Sequence, residues 1–351
     1  MEKSMLTYRE IYRQPEAFES VNGSLDAIYK VLDEVFPQKN AYDEVLFIGC
    51  GTSLYLAQTA AHMFASCTDI PAKGVPCSEI YFFPETYLKG KRVLICPITR
   101  KSYTTEVRMA IDRAHMFPNV KTLAITCDKD SSLYNDFMIL SPDADEESVV
   151  MTSSFTSMVY LAAVMAYHVG GQDEKIGQLK DYKEFSARVL RDMDVLAKKA
   201  VEEHPERTLF VTLGQGVYYG VARECMNKMK EMGLVSSEGY YDMEYRHGPM
   251  SLVDDKTMIV YLSHRASRKE DVALARQMQE YGALNIVIGA ELKDDFRDCA
   301  SYTYSLDGGL EEIQYAPVIG FIGQFLGYYI ALRKGLDADT PRNLSQAIVL
   351  K

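Results

Sequence analysis

The sequence predicts an α/β protein made of two doubly wound parallel-sheet domains in tandem. Three observations lead there. Short apolar and β-branched runs alternate with helical patterns, which is how a parallel sheet covered on both faces reads. The strand–turn–helix pattern that begins at Glu44 restarts at Thr208. The length of 351 residues, at roughly 100–200 residues per domain, leaves room for two or three domains.

The elements follow in order. Residues 8–37 are periodic and amphipathic and predict an N-terminal helical segment, 1–37. Glu44-Val-Leu-Phe-Ile-Gly-Cys-Gly-Thr-Ser53 reads as a strand ending in a tight turn, and Leu54–Phe64 as the helix it feeds. Further strands fall at Arg92–Ile98 and Val120–Thr126, with helical stretches after each, and make a first domain over 38–172. Residues 173–204 are charged and periodic, with no Gly except Gly177, and read as a connecting helix region. A second domain, 205–351, opens with Thr208-Leu-Phe-Val-Thr-Leu-Gly-Gln-Gly216. Setting Leu46-Phe47 on Leu209-Phe210 puts Gly51 on Gly214, Ser53 on Gly216 and Tyr55 on Tyr218. Arg100 and Ser102 recur 165 residues later as Arg265 and Ser267. The similarity is weak but keeps its order, so two copies of one α/β unit are expected, the second with a degenerate hydroxyl loop. The most membrane-like stretch, Ala316–Leu332, is interrupted by Gly320, Gly323, Gln324 and Gly327. A spanning helix needs about 20 apolar residues, so this stretch reads as a buried helix whose glycines admit a close neighbour.

Composition narrows the function. With 38 Lys+Arg against 49 Asp+Glu, the net charge is −11, and the mean field repels phosphates; nucleic acid and anionic membrane are poor partners. At 47% hydrophobic and 25% charged residues, global disorder is excluded. The seven cysteines, Cys50, Cys67, Cys77, Cys96, Cys127, Cys225 and Cys299, are odd in number and contain no C-x-x-C. They read as reduced, buried thiols of a cytoplasmic protein, not as a disulfide framework or a zinc site. The first residues carry no apolar region of a secretory signal.

Four segments carry chemistry. In Gly49-Cys-Gly51-Thr52-Ser53, glycines let backbone approach a ligand, free N–H groups attract anions, and two hydroxyls add donors. A plain tight turn with a hydroxyl cap also fits that segment. Thr99-Arg-Lys-Ser-Tyr-Thr-Thr-Glu106 packs five hydroxyls and two cations into eight residues at another strand-to-helix junction, suited to a phosphate or simply to an N-cap. Two such loops after neighbouring strands count for more, since ligands gather at the carboxyl ends of strands in open α/β sheets. On Ala222–Met232, Glu224, Lys228 and Glu231 share one helical face, as a solvated ion-pair stripe or as a carboxylate poised for proton transfer beside a lysine. Tyr240-Tyr-Asp-Met-Glu-Tyr-Arg-His247-Gly-Pro249 holds a histidine suited to acid–base work, although a lone histidine is more often structural. No His/Cys/Glu spacing resembles a metal site, and no cofactor is expected.

Together these segments resemble the sugar isomerase (SIS) family, in its double-domain form. That form includes the isomerase half of glucosamine-6-phosphate synthase, ketosamine-phosphate deglycases and amino-sugar-phosphate deaminase/isomerases. The match runs in order over nearly the whole chain: Cys50-Gly-Thr-Ser53, the Thr99–Thr104 loop, Ser148-Val-Val-Met-Thr-Ser-Ser-Phe-Thr156, Lys228-Met-Lys-Glu231, Glu244-Tyr-Arg-His-Gly-Pro249 and Asp339-Thr-Pro-Arg-Asn-Leu-Ser345. The resemblance implies flavodoxin-like sheets. It also implies a sugar-phosphate site drawn from Gly51, Thr52, Ser53, Thr99, Arg100, Lys101, Ser102, Thr104, Ser153, Ser345 and Gln346. Glu231 then corresponds to the acid/base that moves a proton between C1 and C2, with Lys228 and Glu224 as helical supports. His247 corresponds to the ring-opening histidine that reaches the site from the partner subunit, so a homodimer or higher homo-oligomer is implied.

Two departures from the family pattern stand out. Lys101 and Ser102 occupy positions where Ser and Gly are usual in the hydroxyl loop. Gln346 stands where the synthase type carries an imine-forming tail lysine; an amide cannot form an imine, and Lys351 is the only tail lysine. The expectation is therefore a deglycase or deaminase-isomerase that takes a 6-phosphorylated ketosamine or amino sugar. A synthase-like isomerase subunit and a non-catalytic sugar-phosphate sensor are the alternatives. Gly214-x-Gly216-x-x-x-Gly220 also suggests a nicotinamide enzyme, but no strand-end acid follows at the expected spacing.

Overall fold

The computed structural model describes residues 4–38 and 40–349; Lys351, the tail lysine, lies outside them. The chain forms two compact units, Glu10–Glu184 with Arg342–Lys351, and Met1–Arg9 with Phe185–Pro341. Each unit is built on one five-stranded parallel sheet.

The first sheet contains β1 (Glu44–Gly49), β2 (Ala72–Pro76), β3 (Val93–Thr99), β4 (Val120–Thr126) and β5 (Phe137–Leu140), in the order β2-β1-β3-β4-β5. Every residue of β1 and β3 is buried, as expected of central strands covered on both faces. The second sheet contains β6 (Leu209–Gly214), β7 (Ser236–Tyr240), β8 (Thr257–Ser263), β9 (Leu284–Ala290) and β10 (Tyr302–Leu306). Its order, β10-β9-β8-β6-β7, repeats the first sheet read from the other edge. This is the flavodoxin-like order, with a topological switch between the first and third strands of each copy, where a crevice opens at their carboxyl ends.

The structure shifts the register of the repeat by two residues. Gly49 and Gly214 both end a first strand, and at each an added Cβ would strike the backbone four residues on, at 2.4 Å from Ser53 and 2.6 Å from Tyr218. Gly51 and Gly216 both take positive φ, +54° and +58°. The true correspondence is thus Gly49 with Gly214 and Gly51 with Gly216. Matching the Leu-Phe pairs missed it because side-chain identity at buried strand positions constrains register less than the turn does.

Other expectations need correction. Residues 8–37 form three helices, Met5–Tyr12, Gln14–Asn22 and Leu25–Val35, because Pro15 starts a new helix and the turn at Gly23–Ser24 breaks the next. The connecting region is two helices, Asp173–Gly177 and Tyr182–Glu203, and the boundary between units falls within the second. The tail from Arg342, expected in the second domain, belongs to the first unit.

The stretch Glu312–Arg333 is long and apolar enough to cross a membrane, and 89% of its 18-residue apolar window is buried inside the protein. It forms two helices, Glu312–Ile319 and Phe321–Arg333. The second lies against the helix Tyr218–Gly233 so closely that a Cβ on Gly323 would come within 2.5 Å of Cys225, and one on Gly327 within 2.6 Å of the Lys228 carbonyl oxygen. Glycine at those positions lets the buried helix seat the one that carries Glu224, Lys228 and Glu231.

Candidate functional site

In the first unit the two loops expected to hold phosphate leave neighbouring strands. The turn after β1 carries Gly51 in a left-handed conformation and feeds the helix Thr52–Cys67. Thr52 and Ser53 are mostly buried at its start, and the Ser53 N–H bonds the Cys50 carbonyl at 3.1 Å. After β3, the Thr99 hydroxyl donates to the Lys101 carbonyl at 2.6 Å, folding the loop on itself. Thr104 precedes the helix Thr105–Ala114. Among the described residues the hydroxyls of Ser53 and Thr104 meet no hydrogen-bond partner, so both remain free for a ligand.

The two departures from the family loop have defined places. Lys101 forms an ion pair with Asp145, whose carboxylate holds the ammonium above its ordinary pKa against the opposing effect of burial. Ser102 donates to Asp128 at 2.8 Å, and its backbone N–H reaches the same carboxylate oxygen at 3.2 Å. Arg108 braces this pair from outside, on the Ser102 carbonyl at 3.0 Å and the Ser132 hydroxyl at 2.7 Å.

Arg100 turns inward. Its guanidinium is 3% exposed and reaches Glu146 at 3.2 Å, the Val149 carbonyl at 2.8 Å and the Gln346 carbonyl at 3.0 Å. Glu146 also accepts the N–H groups of Thr152 at 2.8 Å and Ser154 at 2.6 Å, at the start of the helix Ser153–Val169. The Ser153 hydroxyl is buried there without a hydrogen-bond partner. The Gln346 amide donates to the carbonyls of Glu146, Glu147 and Ser148 at 3.2, 2.7 and 3.3 Å, and Thr105 N–H takes the Ile348 carbonyl at 3.3 Å. Ser345 is exposed and donates to the Ala347 carbonyl at 2.8 Å. Arg100, Glu146 and Gln346 therefore fasten the tail beside the hydroxyl loop. Glu146 was invisible to sequence reasoning, because nothing in an acidic run marks the one carboxylate that folds inward.

The second unit carries the acid–base group. Lys228 is 1% exposed and bridges Glu224 at 3.1 Å and Glu231 at 2.5 Å. Burial opposes its charge, but the two carboxylates more than offset that and hold the ammonium above its ordinary pKa. Glu224 is buried, whereas the Glu231 side chain keeps 22% of its surface exposed. The solvated-stripe reading of this helix fails, since its cation lies in the interior. The other Glu231 oxygen accepts from Asn227 at 2.9 Å. Asn227 was missed by sequence reasoning; an amide four residues before the acid was the available signal.

His247 follows the short helix Asp242–Tyr245 and is exposed. Among the described residues its ring meets no hydrogen-bond or ion-pair partner. The segment is anchored by Asp242, which is 2% exposed and faces Asp271 on the helix Arg268–Glu280. Burial, then the Asp271 charge, pushes the Asp242 carboxyl well above its usual range. Burial raises Asp271 too, against hydrogen bonds from Asp242, Ser263 and Ser267 and the charge of Arg268. The Oδ1 atoms of both carboxyls have no ordinary donor, which a shared proton between them satisfies. A raised folded-state pKa means that the folded form holds more protons. Stability is then complete below about pH 3.9, the ordinary carboxylate value, and declines as pH rises toward the raised folded pKa. Asp242→Asn should flatten that decline, whose slope is at most about 1.4 kcal/mol per pH unit per proton. Melting curves across the acid-to-neutral range test this, and an unchanged slope would count against the shared proton.

Among the described residues, no group of three or more His, Cys, Asp or Glu is placed to hold a metal. All seven cysteines are free.

Two parallel sheets of one topology, with hydroxyl loops at one switch point and a buried lysine–carboxylate cluster on a helix after the other first strand, make a duplicated α/β chain. A family model described as the SIS domain matches residues 41–168 and 205–332, and the chain belongs to that family. It is 24% identical to the isomerizing glutamine–fructose-6-phosphate aminotransferase of Methanothermobacter thermautotrophicus, over 98% of this chain and 57% of that protein. It is 27% identical to the enzyme of that name from Pyrobaculum aerophilum, over 98% of this chain and 57% of the relative. The chain thus spans just over half the length of these curated relatives. Among solved structures, glucosamine-6-phosphate deaminase of Thermotoga maritima is 28% identical with a TM-score of 0.77, covering 98% of this chain and 99% of that one. Tagatose-6-phosphate ketose/aldose isomerase of Escherichia coli, 24% identical, shares the fold at a TM-score of 0.85 over 99% of this chain and 97% of its own.

Proposed function

We propose that this chain is a deaminase-isomerase or deglycase acting on a 6-phosphorylated amino sugar or ketosamine. The hydroxyls of Ser53 and Thr104 take the phosphate, with Gly51 and Thr52 supplying backbone and hydroxyl at the turn, the Thr99 hydroxyl holding the loop through the Lys101 carbonyl, and Lys101, paired with Asp145, at the rim. Glu231 moves a proton between C1 and C2 of the open-chain sugar. With an amino aldose, the proton leaves C2 and returns at C1 through an enolamine; water adds to the resulting ketimine and ammonia leaves. With a ketosamine the transfer runs from C1 to C2, and water releases the amine from the aldimine. Lys228 steadies charge developing on the acid, and Glu224 holds Lys228 charged. His247 assists ring opening in a homodimer, serving the other copy's site.

The observation that carries this reading is Lys228, buried between Glu224 and Glu231 while Glu231 stays partly exposed. A structural ion pair gains little from leaving one carboxylate open to a substrate. Gln346 favours a substrate that already bears nitrogen over a synthase-like conversion, because its amide forms no imine and is engaged by the carbonyls of residues 146–148. The similarity to the Thermotoga maritima deaminase points the same way. A cytoplasmic setting, suited to seven free thiols, belongs to the same reading.

The test is product release. Glucosamine 6-phosphate and a panel of 6-phosphorylated ketosamines are incubated with the protein, and ammonia or free amine is assayed with the sugar phosphate. Release from one of them is expected. Binding without release across the panel would shift the assignment to a sugar-phosphate sensor.

Asn227 is proposed as a positioning residue for the same step. Asn227→Leu removes a hydrogen bond to a charged acceptor, a loss of about 1.5–3 kcal/mol. That should read as a roughly 10- to 100-fold lower kcat with KM unchanged. A rise in KM at constant kcat would assign Asn227 to substrate binding instead.

A further inference from the structure

The turn after β1 holds a thiol that no step above uses. β1 and β2 pair in parallel with Gly49 opposite Pro76, so Cys50 and Cys77 are the next residues beyond the paired ends. Paired strands run about 4.8 Å apart, inside the Cα separation of about 4.4–6.8 Å that a disulfide accepts. Cys77 is wholly buried in the core of the first unit, and Cys50, partly exposed, packs against that core. The neighbouring Cys77 thiol lowers the Cys50 pKa despite burial, while the Cys50 sulfur and burial hold Cys77 as a thiol well above its usual range. One sulfur thus belongs to a half-buried residue and is inclined to ionise, and the second is sheltered and adjacent. That is the arrangement of an attacking and a resolving cysteine.

We propose that Cys50 and Cys77 are a reversible redox pair that peroxide closes into a disulfide, altering the phosphate turn. The Cys50 thiolate attacks hydrogen peroxide, breaking the O–O bond to give Cys50 sulfenic acid and hydroxide. The Cys77 sulfur then attacks the sulfenic sulfur, the S–S bond forms, and the sulfenic hydroxyl and the Cys77 proton leave as water. Two thiols are oxidised and one peroxide is reduced to two waters, counting the hydroxide with the proton Cys50 gave up. A dithiol reverses the bond by exchange. Closing the bond draws the sulfurs to about 2.05 Å. The turn has little slack to absorb this: at Gly49 there is no room even for a Cβ, which would sit 2.4 Å from Ser53 backbone. The movement therefore passes to Ser53. This consequence for turnover rests on the proposed phosphate role of the turn; the bond itself does not.

The full-length protein is treated with hydrogen peroxide at low excess, alkylated, digested without reductant and analysed by mass spectrometry. The expected result is a peptide linked through Cys50 and Cys77, with two fewer thiols titrating in denaturant. Turnover of the substrate found above falls in parallel, by on the order of ten- to a hundredfold, and dithiothreitol restores it. Cys77→Ala should keep the basal turnover and give no linked peptide; should it fold poorly, Cys50→Ser tests the bond alone and should likewise give no linked peptide. The pair is overturned if both thiols stay free while peroxide oxidises others, or if a different pair is linked. The switch is overturned if the linked protein turns over at the reduced rate. An absence of turnover in untreated protein would bear on the proposed function alone, since the linked peptide is read independently.

Discussion

Glu231→Gln should lower turnover by about 100- to 10,000-fold while leaving sugar-phosphate binding intact. The amide keeps the shape of the carboxylate and still accepts from Lys228, which sits 2.5 Å from one oxygen, so the helix loses no packing. It loses the ability to take up a proton, the one property that distinguishes an acid–base group from a polar support. Binding is expected to survive because the proposed phosphate contacts, Ser53 and Thr104, lie in the other unit. The measurement pairs turnover with the affinity for a non-reacting 6-phosphorylated sugar alcohol. Turnover retained in the variant would remove Glu231 from the mechanism, whatever the substrate proves to be.

Lys228→Met should destabilise the second unit by about 3–5 kcal/mol, a fall in Tm of roughly 6–20 °C. The lysine is 1% exposed, and its removal leaves Glu224 buried without its cation 3.1 Å away. Turnover should fall as well, since the charge beside Glu231 disappears. The double variant Lys228→Met with Glu224→Gln separates the two effects. Stability should largely return, because no buried charge is left uncompensated, and turnover should not. A single variant that melts like the wild type would show that the site relaxes around Glu224, and a double variant that recovers turnover would deny Lys228 its role beside Glu231.

Much of the fold was legible from the chain. The buried runs Val45–Ile48 and Val93–Ile98 announce central parallel strands, because a strand covered on both faces has no polar side to alternate with. The interrupted apolar stretch near the C-terminus was readable as a core helix, and the glycines in it do admit the neighbour that carries Lys228. The repeat was legible in order but not in register. Its exact register depends on which glycine lacks room for a Cβ and which takes positive φ, and both are properties of the folded turn. The three helices within residues 8–37 were blurred into one because amphipathic periodicity persists across short breaks.

The candidate site divides in the same way. Glu224, Lys228 and Glu231 could be placed on one helical face from spacing alone, since the helix period is fixed by backbone geometry. Whether that face looked to solvent or to the core could not, because the answer lies in a helix about a hundred residues further along the chain. The roles of Arg100, Glu146 and Gln346 in holding the tail were equally hidden. Their contacts join residues 46 and 246 positions apart, and a distant partner leaves no local pattern. Cys50 and Cys77 belong to the same class: 27 residues separate them in the chain, and only the parallel register of β1 and β2 makes them neighbours. By itself, then, the sequence determined the central strands, the helical stretches and the kinds of chemical group at each loop, because propensity, periodicity and residue type are local. The tertiary structure alone decided which charges are buried, which hydroxyls stay free and which thiols meet, because burial and pairing depend on what distant segments place alongside.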